Sequence, residues 1–168
     1  MQNYLPPWED AWHLSELYLQ QAPWFYGAVT KRQVLEEILP TWYPEAARLN
    51  PPCVSVPKPS APGSGPGIEP ENGPGGAHEL ALLFIVFAFG ALTDIALPPL
   101  PDNPDAERYY QLTCTALSLE PVLDRPPLVA TVQTLSLMAI YQGLFGEHNL
   151  ESTWTIFGMA TKLAQSVS

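Results

Sequence analysis

Cysteine and positive charge are both scarce in this sequence of 168 residues. It holds two cysteines, and its seven lysines and arginines face 17 acidic side chains, for a formal net charge of −10. Cys53 and Cys114 cannot by themselves build a disulfide framework or a four-cysteine zinc site. Their scarcity fits a reducing compartment. The net negative charge opposes nonspecific binding to nucleic acid or to an anionic membrane, since both need cationic neutralisation. A membrane-length apolar run is also missing. The longest, Leu80 to Leu92, has thirteen residues, against about 20 for a bilayer span. Extending it meets Asp94 and then Pro98-Pro99, so it reads as a buried core helix and no membrane partner is expected. Met1 to Pro7 has neither a basic nor an apolar leader region, so no targeting segment is expected.

Motifs for catalysis are missing as well. His13, His78 and His148 sit in no H-E-x-x-H, Cys/His ligand or nucleophile pattern. The glycine-rich Gly63-Ser64-Gly65-Pro66-Gly67 contains a proline, which removes an N–H that a phosphate cradle would use. Glu36 and Glu37 are neighbours on a helix and point in different directions, so they read as a solvated face. No enzyme activity, metal or cofactor is expected in this chain.

What is present is helix. No segment sustains period-2 alternation, whereas apolar residues recur at helical spacing in most of the sequence. The expected fold is all-α, an irregular bundle of about six helices with a disordered Pro/Gly-rich linker. From Pro51 to Gly76 there are eight prolines and six glycines, a composition that sustains neither helix nor strand. The chain therefore divides into an N-terminal helical part, 1–50, a linker or insertion, 51–78, and a C-terminal helical part, 79–168.

In the N-terminal part Pro7 suits a first helical turn, and Trp8, Ala11, Trp12, Ser15 and Leu19 lie near one stripe. Thr30 and Gln33 resemble a capping box, followed by Val34, Leu35, Ile38 and Leu39 up to Pro40. Trp42 to Leu49 reads as one more short helix. In the C-terminal part the first helix runs from Glu79 to about Leu97. Asn103 is a plausible N-cap with Pro104 at N1, starting a helix to about Leu119. The next begins near Pro127, with Leu128, Val132, Leu135 and Ala139 on one stripe and Leu137, Tyr141 and Leu144 on another. The last begins near Leu150 and carries Ile156, Ala160, Leu163 and Val167. It reaches Ser168 without a stop signal, which is the mark of a truncated piece whose apolar faces would drive self-association. Four of the five tryptophans, Trp8, Trp12, Trp24 and Trp42, precede the linker. They read as packing of the N-terminal helices on the bundle, with an aromatic ligand pocket or partner surface as the sharper alternative.

Taken in order, the Leu80–Leu92 run, Pro98-Pro99, Ala106-Glu107-Arg108-Tyr109-Tyr110, Thr131-Val132-Gln133-Thr134-Leu135, Thr153-Trp154 and Lys162-Leu163-Ala164-Gln165-Ser166 resemble one family. It is the fungal-specific transcription factor domain, the middle homology or xylanolytic-activator-type regulatory region of fungal binuclear zinc-cluster transcription factors. Pro7-Trp8-Glu9 through Leu17-Tyr18-Leu19, with Trp24-Phe25, resembles the lead-in to that region. The resemblance implies a non-catalytic regulatory module in a nuclear protein, with co-regulator proteins or a small effector as partners. It implies DNA contact and zinc only through a separate six-cysteine cluster, which this sequence lacks. The family's glycine-leucine-histidine-arginine type segment after the last run is missing too. Tyr109, Tyr110, Gln133 and Trp154 match the family pattern and are expected to pack helices. The alternative reading is a free-standing helical protein-interaction module with no DNA-binding parent.

Overall fold

The computed structural model describes residues 2–21, 27–49, 76–120, 128–144 and 150–167. The linker from 51 to 75, Trp24, Cys53, His148 and the turn at 121–127 lie outside the described residues. All regular structure among the described residues is helical. The all-α expectation therefore holds, and the core is one cluster drawn from both sides of the linker.

Helix α1 (Trp8–Gln21) opens with Glu9 and Asp10 in its first turn, where carboxylates suit the positive end of the helix dipole. Its buried face is Ala11, Leu14, Ser15 and Tyr18. The face is therefore rotated from the stripe expected from sequence, and Trp8, Trp12 and Leu19 flank it, half-buried. The Ser15 hydroxyl avoids an unpaired burial by donating to Ala11 O at 2.8 Å.

The next helix starts where Thr30 predicts, since Thr30 Oγ1 accepts from the Gln33 backbone at 3.2 Å. It does not stop at Pro40. Residues Gln33–Ile38 form a π-helical turn, with Leu39 N bonded to Val34 O, and α2 (Leu39–Trp42) continues from it. Proline inside an α-helix lacks an N–H and clashes with the carbonyl four residues back. Widening the preceding turn relieves that clash and lets the helix run past Pro40. Helix α3 (Pro44–Leu49) follows.

Helix α4 (Ala77–Thr93) is the centre of the fold. Every residue from Leu80 to Ala91 is buried, because α1, α5 and α6 all pack on it. It ends at Thr93, four residues before the expected end near Leu97. Asp94 turns extended and its Oδ1 accepts from Ala96 N at 2.9 Å, a local bond that competes with continued helix. Helix α5 (Pro104–Leu119) has the predicted bounds. Asn103, only 1% exposed, accepts from Ala106 N and donates to Ala91 O, both at 2.9 Å. One side chain thus caps α5 and satisfies a carbonyl near the end of α4.

Helix α6 (Val129–Gly143) buries Ala130, Thr131 and the run Thr134 to Ala139 against the core. Leu128 and Leu144, placed on its core stripes from sequence, stand about half exposed at its ends. Helix α7 (Leu150–Val167) packs chiefly on α6. Of its expected stripe Ala160 is buried, Ile156 and Leu163 are half-buried, and Val167 is exposed.

Candidate functional site

The four residues singled out by sequence take four different positions. Gln133, on α6, pairs amide to amide with Gln33. Each side chain donates to the other, at 2.8 and 2.9 Å, and Gln133 Nε2 also donates to Ala28 O at 2.7 Å. The Gln33 side chain, expected to close a capping box, instead reaches across the linker. This reciprocal pair satisfies both half-buried amides and joins the two helical parts.

Tyr110 is 5% exposed and lies flat on Tyr141, with ring centroids 4.5 Å apart and planes 8° apart. Its oxygen accepts from Gln142 Nε2 at 2.7 Å. Burial above all pushes its phenol up to about 12, and its hydrogen bond to the Cys114 thiol adds to that. Burial likewise raises the Cys114 thiol, so the sulfur stays protonated and is no activated nucleophile. Tyr110 thus joins α5 to Tyr141 and Gln142 of α6.

Trp154 stands on α7 with 73% of its surface exposed. The expected packing role fails because α6 covers only the Thr153, Ile156, Ala160 and Leu163 side of α7. Leu150, Trp154 and Phe157 fall at i, i+4 and i+7 on the neighbouring side, and all three are exposed.

Tyr109 packs edge-on against Phe87, with ring centroids 5.6 Å apart, and is 6% exposed. It also lines a cleft of about 380 Å³. The cleft lies between the Leu5–Pro7 lead-in, α1, the turn after α4 and the first turns of α5. Its charged walls are Asp10, Asp94, Asp105, His13 and Arg108. His13 Nε2 meets Asp94 Oδ2 at 3.4 Å, and Arg108 stands over the Tyr109 ring at 5.9 Å. The lead-in is pinned by Tyr43, whose hydroxyl donates to Pro6 O at 2.8 Å. Burial raises the Tyr109 phenol; Arg108 opposes that shift, and Asp105 and Asp10 add to it. Among the described residues no serine, threonine, cysteine or lysine lines the cleft. Its one phenol is held protonated, so the arrangement suits binding rather than nucleophilic attack. Among the described residues no group of three or more His, Cys, Asp or Glu is placed to hold a metal ion, so these residues do not fit zinc. No helix there is long and apolar enough to cross a membrane.

His78 carries a role that sequence reading did not assign. It is 6% exposed, with Nδ1 at 2.6 Å from Thr131 Oγ1 and Nε2 at 2.8 Å from Glu120 O. A carbonyl only accepts, so Nε2 carries the proton, and Nδ1 accepts from the Thr131 hydroxyl. Thr131 Oγ1 in turn accepts from Leu128 N at 3.3 Å. The start of α4, the end of α5 and the start of α6 are thereby tied by one imidazole. Truncation in His78→Ala removes both of these hydrogen bonds and leaves a void. It is expected to cost about 2–4 kcal/mol in urea denaturation. A loss under about 1 kcal/mol would show that this tie is not formed in solution.

Comparison with known proteins gives one direction. No protein-family profile matches the chain, and no solved structure matches it. The chain is similar to sorbicillinoid biosynthetic cluster transcription factor 2 of Penicillium rubens, at 34% identity over 88 residues. That match covers 52% of this chain and 13% of the fungal protein's length.

Proposed function

We propose that the chain is a non-catalytic regulatory module, part of a nuclear, fungal zinc-cluster transcription factor. The observation that carries this reading is the 34% identity to a fungal transcription factor over half of the chain. The ordered series of motifs supports the finer assignment to the fungal-specific regulatory region. DNA and zinc would be bound by a cluster elsewhere in the parent polypeptide, and the module would act through co-regulator proteins or a small effector. The uncovered apolar side of α7 supports a protein contact, because a tryptophan at 73% exposure in an apolar row is unusual for a finished surface. The same feature favours the second reading, a free-standing helical interaction module.

A reporter assay separates these. The full chain, fused to a heterologous DNA-binding domain, is expected to change transcription from the matching promoter several-fold. Trp154→Asp with Phe157→Asp is expected to remove most of that effect while leaving the thermal midpoint within a few degrees, since Trp154 stands largely and Phe157 nearly half in solvent. A fusion indistinguishable from the DNA-binding domain alone would count against the regulatory reading. The transcript adds an independent check, because six cysteines in zinc-cluster spacing encoded in the same reading frame are expected of the parent.

A further inference from the structure

We infer that the cleft at Tyr109 is a binding site for a small organic cation, a protonated amine carrying an apolar body. That such a ligand acts as an effector rests on the regulatory reading above; the binding itself does not.

The charge balance comes first. Asp10, Asp94 and Asp105 stand against Arg108 alone among permanently charged side chains. His13 is matched to Asp94, while Asp10 and Asp105 form no salt bridge with any described residue. Both lie in first turns, Asp10 of α1 and Asp105 of α5. Helix starts supply a partial positive charge of roughly half a unit each, which does not neutralise the excess. In a half-enclosed space such an excess attracts a cation more strongly than the same charges in bulk water.

Carboxylates alone would describe only a solvated wall. The second observation is Tyr109. Its side chain is more than nine-tenths buried, yet its hydroxyl has no hydrogen-bond partner in the described structure. The hydroxyl is also absent from the buried, unpartnered atoms, so it reaches open space. The charges that act on it, Arg108, Asp105 and Asp10, all line the cleft. A phenol this little exposed usually bonds within the protein; that of Tyr109, which lines the cleft, is left for a ligand. An ammonium group between Asp10 and Asp105 would donate to both carboxylates and to the phenol oxygen. Leu5, Pro6, Pro7, Leu14 and Leu97 also line the cleft and would receive a hydrocarbon body. A volume of about 380 Å³ falls at the small end of ligand pockets.

The test is a titration of the isotope-labelled full chain with phenethylamine and benzylamine at neutral pH, each beside its neutral alcohol, followed by amide chemical shifts. The expected result is saturable shifts clustered at residues 10–14, 94–97 and 105–109, with the amine bound at least about tenfold more tightly than the alcohol. Asp10→Asn with Asp105→Asn should weaken amine binding by about tenfold or more and bring amine and alcohol together. Tyr109→Phe, which keeps the ring and its contact with Phe87, should weaken the amine and leave the alcohol unchanged. Equal affinity for amine and alcohol, shifts centred elsewhere, or no saturation by about 10 mM, the weak limit for a few polar contacts, would each overturn the inference. A bound amine that leaves the reporter unchanged would instead count against the regulatory reading, so the two failures are distinct.

Discussion

Replacing Gly90 by alanine is expected to unfold or severely destabilise this protein, whereas the same change at Gly158 is expected to stabilise it. Both glycines lie inside long helices, where alanine is intrinsically better by about 1 kcal/mol. The surroundings decide the sign. A methyl on Gly90 would run into the carbonyl oxygen of Leu14 of α1, and would lie 2.8 Å from its carbonyl carbon and 2.9 Å from its Cα. These are backbone atoms in the middle of a helix, so no side-chain rotation clears them. Relief requires α1 to withdraw from α4 by roughly 1 Å, which forfeits much of the dispersion energy along the contact. That withdrawal would loosen Leu14 and Tyr18 and the Tyr18–Phe89 ring contact at 6.3 Å. Overpacking in a close-packed core costs about 1–3 kcal/mol when the core can adjust, and more when backbone must move. A net loss of about 3 kcal/mol or more at Gly90 is expected, out of a total of about 5–15. Nothing lies within 4 Å of a methyl at Gly158, so there the propensity gain of about 1 kcal/mol stands alone. Urea denaturation followed by circular dichroism checks both. A Gly90→Ala midpoint at or above that of the parent would show that α1 does not cross α4 this closely.

Gly90 also marks the boundary of what the sequence discloses. The burial of α4 is legible, because a run from Leu80 to Leu92 with no polar residue can only be solvated poorly on every side. The reason for one glycine in that run is not legible, since the closeness of α1 depends on how two distant helices cross. The start of α5 is legible from Asn103-Pro104, because capping is local chemistry. The second bond of Asn103, to Ala91 O, is not, for the same reason as Gly90. Periodicity likewise gives the apolar side of α7 without telling whether a neighbour arrives to cover it. Ala160 meets α6 and Trp154 meets solvent, although both belong to the apolar half of one helix. His78 shows the limit most plainly. Its partners are 53 and 42 positions away, and a lone histidine in front of an apolar run carries no mark of them. The cleft is the same kind of object, since Asp10, Asp94 and Asp105 come from three separate stretches and only the packing of α1, α4 and α5 gathers them.

Raising the pH above about 10 is expected to unfold the chain within about two pH units, through its buried tyrosines. Tyr43, Tyr109, Tyr110 and Tyr141 all have raised phenol values, with burial the first cause in each. Glu107 faces Tyr110 and Tyr141 and opposes their ionisation further. A folded value raised above that of the free chain means that the folded state holds its proton more tightly. Below the free-chain value of 10.0 both states are protonated, and stability does not depend on these groups. Above it the unfolded chain ionises first, so stability falls as pH rises, until the folded phenol also ionises. For Tyr110 that window runs from 10.0 to about 12. Each such tyrosine contributes a slope of about 1.4 kcal/mol per pH unit inside its window. Tyr43, Tyr110 and Tyr141, the most strongly shifted, together give about 4 kcal/mol per pH unit, or about 8 kcal/mol over two units, which exhausts a stability in the lower half of the usual range of about 5–15 kcal/mol. Unfolding and the rise of tyrosinate absorbance should therefore coincide in one cooperative transition. Tyr110→Phe, compared with its own stability at pH near 8, should shallow the slope by about 1.4 kcal/mol per unit. A stability that stays flat from about pH 8 to 11.5, or buried phenols that ionise with the helices intact, would show that the aromatic layer around Tyr110 and Tyr141 is open to water.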